Sequence, residues 1–184
     1  MSNAWFSRAA RGTAAVTAVA ALLLFGCPLA SERPLSDPAT AVVDPALLGT
    51  WKTTDAETQE TSTIRFLPFN GREMAGIGSD TGSDGEIAAY RVFATIVNGE
   101  RFLNLQELRE DGEVEWYFAR YRVEGDVLTL RLVDDALFGS RTFASSDALR
   151  TFVQQNLDDP KLYGGTETEE PPLVWHRLPT DRPQ

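Results

Sequence analysis

Apolar and polar residues alternate along most of this chain with the period of two that half-buried β-strands require. In one run, Leu128, Leu130 and Leu132 share a face, while Thr129 and Arg131 share the other. Similar runs recur throughout the middle of the chain and predict seven consecutive strands. Their expected positions are 48–53, 61–69, 72–77, 86–97, 101–108, 113–123 and 127–133.

Short turn signals separate several of these strands. They are Asn70-Gly71, Asn98-Gly99, Asp111-Gly112 and Gly125-Asp126. Asparagine, aspartate and glycine tolerate the positive φ angles of tight hairpin turns. Strands joined by such turns pair with their sequence neighbours, so we expect an antiparallel meander.

One helix is expected near the end of the chain. Ser145-Ser146 can cap it, and Leu149, Phe152, Val153 and Leu157 then form a stripe at helical spacing. The strand at 86–97 is apolar on both faces, which predicts that an element such as this helix covers the sheet from outside. A last strand is expected at 173–178. This order predicts an all-β, up-and-down meander barrel of about eight strands with one amphipathic helix before the last strand. An open sheet with the helix on one face is the alternative.

The motif Leu48-Gly49-Thr50-Trp51 resembles the Gly-x-Trp signature of lipocalin-like (calycin) barrels, and the resemblance extends over residues 47–178. It implies that Trp51 plugs the closed end of the barrel beneath an arginine from late in the chain. Arg141, just ahead of the helix, is the better candidate for that arginine, and Arg177 is the other. The Thr-Asp-Tyr signature of the family is absent.

The amino-terminal region has the layout of a secretory signal: Arg8 and Arg11 precede an apolar run at 14–26 that is too short to span a membrane. The segment Leu24-Phe25-Gly26-Cys27 resembles the lipobox of bacterial lipoproteins. That resemblance implies cleavage before Cys27, a diacylglyceryl group on its thiol and acylation of the new amino terminus. A conventional signal peptide with a cysteine nearby is the alternative.

These features predict four regions: a signal peptide at 1–26, the lipidated Cys27 with a flexible linker to residue 46, the barrel domain at 47–178 and a tail at 179–184. Prolines at 28, 34, 38 and 45 favour an extended linker. Two or three acyl chains give stable anchoring. Pro28 at the sorting position favours the outer membrane, with the domain facing the periplasm.

Charge and composition exclude several functions. The chain has 17 basic and 27 acidic residues, and removal of Arg8 and Arg11 with the signal leaves 15 basic residues and a net charge of −12. Such an acidic domain is unsuited to nucleic acid. His176 is the only histidine, so no multi-histidine metal site and no convincing catalytic triad can form. We therefore expect no enzyme activity, no metal and no cofactor.

The glycine-rich segment at 76–85 suggests a phosphate or calcium loop, but it matches neither. It lacks the Gly-Lys-Ser/Thr of a phosphate-binding loop, and Arg91 stands where a calcium loop needs glutamate. A flexible loop at the barrel rim is the expected structure.

Aromatic residues on the strands are the candidate ligand contacts. They are Trp51, Phe66, Tyr90, Tyr117 and Tyr121. In a hollow barrel they would bind a small apolar or amphipathic ligand, and in a filled one they are core. The sequence thus predicts a lipid-anchored, non-enzymatic envelope protein that binds such a ligand. The alternative is a structural or adaptor protein with a filled core that binds another envelope protein through the barrel surface.

Overall fold

The computed structural model describes residues 28–56, 58–81, 87–109, 112–165 and 171–179. The predicted signal, Cys27 and all but the first residue of the predicted tail lie outside these ranges. None of the described helices is both long and apolar enough to cross a membrane.

Eight antiparallel strands form a closed barrel in which each strand pairs with its sequence neighbours and β1 pairs with β8. The prediction of an up-and-down barrel with one helix before the last strand is therefore confirmed. The strands are β1 Gly49–Thr54, β2 Thr61–Pro68, β3 Met74–Asp80, β4 Ile87–Val97, β5 Glu100–Glu107, β6 Trp116–Glu124, β7 Val127–Leu132 and β8 Leu173–Arg177. The helix, α1, spans Ser146–Gln155.

The hairpin turns follow from local backbone preferences. Asn98 and Gly99 both have positive φ, 50° and 85°, and join β4 to β5 directly after the pair Val97–Glu100. The turn from β2 to β3 is built differently. There the Asn70 side chain accepts hydrogen bonds from the backbone N–H groups of Arg72 and Glu73, at 2.8 and 2.9 Å.

The two ends of the barrel differ. The end that carries the β1–β2, β3–β4, β5–β6 and β7–β8 connections is called the mouth here. The opposite end, with the short turns β2–β3, β4–β5 and β6–β7, is the closed end, where Leu47 and Trp51 fill the interior.

A second apolar core lies outside the barrel wall. Phe93 and Val97 on the outer face of β4 are fully buried, together with Leu149 and Val153 of α1. Ser145 caps the helix and accepts a hydrogen bond from the Ala148 N–H at 3.2 Å. The prediction that a helix covers the doubly apolar strand is confirmed.

The segment at 28–46 differs from the flexible linker that its prolines suggested. Ser31 pairs with Trp116 through two backbone hydrogen bonds of 2.9 and 2.7 Å. Leu35 is fully buried in the outer core, and its N–H donates to the buried Asn104 side chain at 2.7 Å. Scattered apolar residues bind this segment to the barrel, whereas composition had suggested a solvated chain.

The burial of Leu35 predicts a measurable stability effect. Leu35→Ala should lower the free energy of unfolding by about 2–5 kcal/mol, because it removes a fully buried side chain and leaves a cavity. Val42→Ala, in the same segment but 57 % exposed, should change it by about 0.5 kcal/mol or less. Urea denaturation of both variants checks this. Equal, negligible effects would show that the segment is a free tether.

Candidate functional site

The closed end is organised around Trp51 and Arg177, which are cross-strand neighbours on β1 and β8. The Arg177 guanidinium lies over the Trp51 ring, 4.1 Å from its centroid. It also donates hydrogen bonds to the carbonyls of Leu48 and Ala46, the latter at 2.7 Å, while the Trp51 indole donates to the Leu47 carbonyl at 2.7 Å. Trp51 is thus a fully buried plug, as the Gly-x-Trp motif implied.

Gly49, the glycine of that motif, has a direct role in this packing. Its φ of +120° is a conformation that side chains disfavour, and a Cβ there would lie 3.0 Å from a guanidinium nitrogen of Arg177. A larger residue would therefore displace the arginine from the Trp51 ring.

The expectation that Arg141 packs on Trp51 is wrong, and the second candidate, Arg177, occupies that position. Arg141 is exposed and lies over the Phe152 ring at 5.2 Å, on the outside of the barrel. The difference arises because β8 closes the barrel against β1, which brings the end of the chain to Trp51.

A cavity of about 60 Å³ lies inside the barrel on the mouth side. Its walls are mostly apolar, and Ser62 and Asp80, cross-strand partners on β2 and β3, stand at its outer edge. Pro28, the first described residue, also lines it. The main walls are formed by Ile64, Phe66, Leu103, Leu105, Leu130 and Trp175, joined by Tyr90 and Tyr117.

The aromatic residues predicted from sequence divide between the two ends of the barrel. Phe66, Tyr90 and Tyr117 line the cavity. Trp51 lies in the closed-end plug, and the Tyr121 hydroxyl donates to Asp44 at 2.8 Å, so neither lines the cavity. Whether the first three contact a ligand stays a prediction.

Sequence reasoning missed most of the other cavity residues, among them Trp175 and Gly78. Trp175 shares the inward face of β8, and alternation within Leu173–Arg177 could have indicated this. Gly78 lies on β3, which continues to Asp80. The first half of the segment at 76–85 is therefore strand rather than the expected flexible loop, and residues 82–86 lie outside the described ranges.

Trp175, one of the cavity-lining residues, carries a buried polar atom without a partner. Trp175 is 5 % exposed, and its indole Nε1 finds no hydrogen-bond acceptor among the described residues. A buried donor without an acceptor is destabilising in an otherwise satisfied core. An acceptor on a bound molecule or a water would satisfy it.

All four tyrosines of the chain are held in the neutral form. Burial is the main cause in each case, and it raises the pKa of Tyr90, Tyr121 and Tyr163 above the usual range. Burial, with a hydrogen bond of 2.9 Å to the Glu115 carboxylate, raises the pKa of Tyr117 to about 12. The cavity therefore presents neutral phenols at physiological pH.

A second concavity, on the outer wall, is lined by the arginines 101, 120, 122 and 131. Their ion pairs include Arg101 with Asp44 at 3.0 Å, Arg120 with Glu100 at 2.9 Å and Arg122 with Glu124 at 3.5 Å. These pairs balance much of the positive charge, so the groove is a salt-bridged surface rather than a strong anion site. Among the described residues, no group of three or more histidine, cysteine, aspartate or glutamate side chains is placed to hold a metal ion.

No family model matches this chain, and neither a curated protein nor a solved structure gives a significant match. The class of protein is thus defined here by its fold, a closed eight-stranded up-and-down barrel.

The closed-end plug predicts unequal effects for the two candidate arginines. Arg177→Met should lower the free energy of unfolding by about 2–3 kcal/mol, because it removes the cation over Trp51 and leaves the carbonyls of Ala46 and Leu48 without that donor. Arg141→Met should cost less than about 1 kcal/mol, since Arg141 is exposed. Thermal and urea denaturation of the two variants give the comparison, and a larger effect at Arg141 would contradict this assignment.

Proposed function

We propose that this protein is a lipid-anchored, non-enzymatic component of a bacterial envelope, at the outer membrane and facing the periplasm, whose barrel holds the apolar end of a small amphipathic molecule. The observation that carries the binding part is the apolar cavity beneath a polar mouth, with the unpartnered Trp175 indole in its wall. The lipobox-like segment ending at Cys27 supports the anchor.

The size of the cavity selects the shape of the ligand. An apolar cavity of roughly 150 Å³ accommodates benzene. At about 60 Å³, this cavity has room for only two or three carbon atoms unless its walls adjust. A single alkyl chain suits such a space, because its end can enter while the rest extends through the mouth.

The charge at the mouth selects the head group. Asp80 stands at the cavity edge, and the domain as a whole is acidic. A carboxylate there disfavours a second negative charge nearby. A neutral or cationic head group is therefore favoured over an anionic one.

The position of His176 supports a binding role rather than catalysis. It is exposed on β8, next to Trp175 and therefore on the opposite, outer face of the strand. Among the described residues, those that line the cavity include no histidine or cysteine. The cavity thus offers serine and threonine hydroxyls without an adjacent imidazole base.

Binding is tested with decan-1-ol on the mature chain from Cys27 onward, carrying Cys27→Ser so that no anchor is attached. Titration followed by two-dimensional NMR should shift the signals of Trp175 and Tyr90. Decanoate, with the same chain but a carboxylate, should bind more weakly because the domain is acidic and repels a negative charge.

Gly78→Val is the matched cavity variant. A Cβ at Gly78 meets the Tyr90 ring at an ordinary 3.6 Å, so this cavity-lining position accepts a Cβ, and valine adds further bulk there. It should weaken decanol binding about tenfold or more, equivalent to about 1.4 kcal/mol. Ala89→Val, exposed on the neighbouring strand, should leave binding unchanged. Absence of decanol binding, or equal binding by the two folded variants, would refute the ligand proposal.

The anchor is tested by Cys27→Ser in the full-length protein. Without the thiol there is no site for the diacylglyceryl group, so the protein should move from the membrane fraction to soluble periplasm, or remain unprocessed. Cell fractionation followed by immunoblotting measures this. Unchanged membrane association would rule out anchoring through Cys27.

A further inference from the structure

The chain is held against the barrel mouth from its first described residue. Pro28 forms a bridge with Asp134, and the Leu29 N–H donates to the Val133 carbonyl at 2.9 Å. The pairing of Ser31 with Trp116 follows two residues later. These contacts join the segment to the end of β7 and the start of β6, both of which lie at the mouth.

This attachment determines where a lipid on Cys27 begins. Consecutive Cα atoms are about 3.8 Å apart, so the lipidated residue lies one step from Pro28. Pro28 itself lines the cavity. A lipid attached to Cys27 would therefore start beside the opening of the cavity.

The rim of the mouth also exposes apolar side chains. Ile87, Leu108 and Val114, in or next to the β3–β4 and β5–β6 connections, are 68 %, 58 % and 50 % exposed. Exposure alone does not distinguish the two ends, because Phe69 and Ile96 are exposed near the closed end. The proposed anchor at Cys27 does distinguish the two ends, because its neighbour Pro28 lies at the mouth.

We propose that the mouth of the barrel rests on the surface of the lipid bilayer, with Ile87, Leu108 and Val114 at the level of the head groups. This inference rests on the anchoring through Cys27 proposed above. The cavity then opens toward the membrane, and the alkyl chain that it takes is that of a bilayer lipid or another membrane-dissolved amphiphile.

Charge at the rim sets the kind of membrane surface. Glu113 and Asp135 are exposed at the mouth, and carboxylates are repelled by anionic lipids. The orientation therefore depends on the anchor and on apolar contact, and a zwitterionic surface suits it best.

The test uses the acylated protein in phosphatidylcholine vesicles that contain a lipid with a nitroxide on its head group. Cys27 is the only cysteine, and acylation blocks its thiol, so an introduced cysteine can be labelled alone. Ile87→Cys at the mouth and Phe69→Cys at the closed end are matched, with 68 % and 69 % exposure. A fluorophore at position 87 should be quenched several-fold more strongly than one at position 69.

A flexible Gly-Ser insertion of about ten residues between Cys27 and Pro28 tests whether the attached segment at 28–46 orients the barrel on the bilayer. The insertion keeps the anchor but no longer holds the mouth next to the bilayer. Quenching at position 87 should therefore fall toward that at position 69. Quenching that is unaffected by the insertion would show that the segment at 28–46 does not orient the barrel.

The remaining outcomes separate this inference from the proposed function. Mass spectrometry that shows no acyl groups on the mature protein overturns the anchoring and the orientation together. Acylated protein with equal quenching at positions 69 and 87 overturns the orientation alone. Shielding of position 87 in whole cells without quenching in vesicles would indicate a protein partner on the rim and also overturn it.

Discussion

Closure of the sheet between β1 and β8 is the constraint on which the rest of this molecule depends. The two strands share only two register pairs, Trp51 with Arg177 and Lys52 with His176. With so few pairs, the backbone pairing between β1 and β8 contributes little to closing the barrel. Arg177 reinforces it by stacking on Trp51 and donating hydrogen bonds to two carbonyls of the chain just before β1. The same side chain therefore closes the cylinder and caps its interior.

The two cores together explain why the cavity is small. Trp51 and Leu47 fill the closed end, so free space is confined to the mouth half. On the side of β4 to β6 the wall is also packed from outside, where Phe93 and Phe118 lie in one apolar core with α1 and Leu35. This part of the wall is packed on both faces and resists expansion, since interiors are packed at crystal density. The slender ligand proposed above follows from this limited space rather than from any single cavity residue.

The strands and the helix could be predicted because their signals are local. Alternation within Leu128 to Leu132 and the turn at Asn98-Gly99 each depend on a few adjacent residues. The partner of Trp51 could not be decided in this way, since it depends on which strand closes the barrel.

The packing of Leu35 was missed for a related reason. A high proline content indicates a stiff, extended backbone. It does not show whether an apolar side chain between the prolines, such as Leu35, packs against a distant part of the chain. Phe66, Tyr90 and Tyr117 line the cavity, whereas Trp51 and Tyr121 do not, and this division depends on the three-dimensional register.

The docked segment changes what a lipid anchor would mean for this domain. A free linker of about twenty residues has a root-mean-square span of roughly 25 Å, which would let the barrel sample many orientations above the bilayer. Here the backbone is paired at Pro28 and Ser31 and buried at Leu35, so that freedom is lost. The entropy cost of ordering the segment is offset by burial of its apolar side chains in the outer core. Under the anchoring proposed above, this packing would keep the mouth close to a lipid on Cys27, so that the segment, the mouth and the cavity would act together.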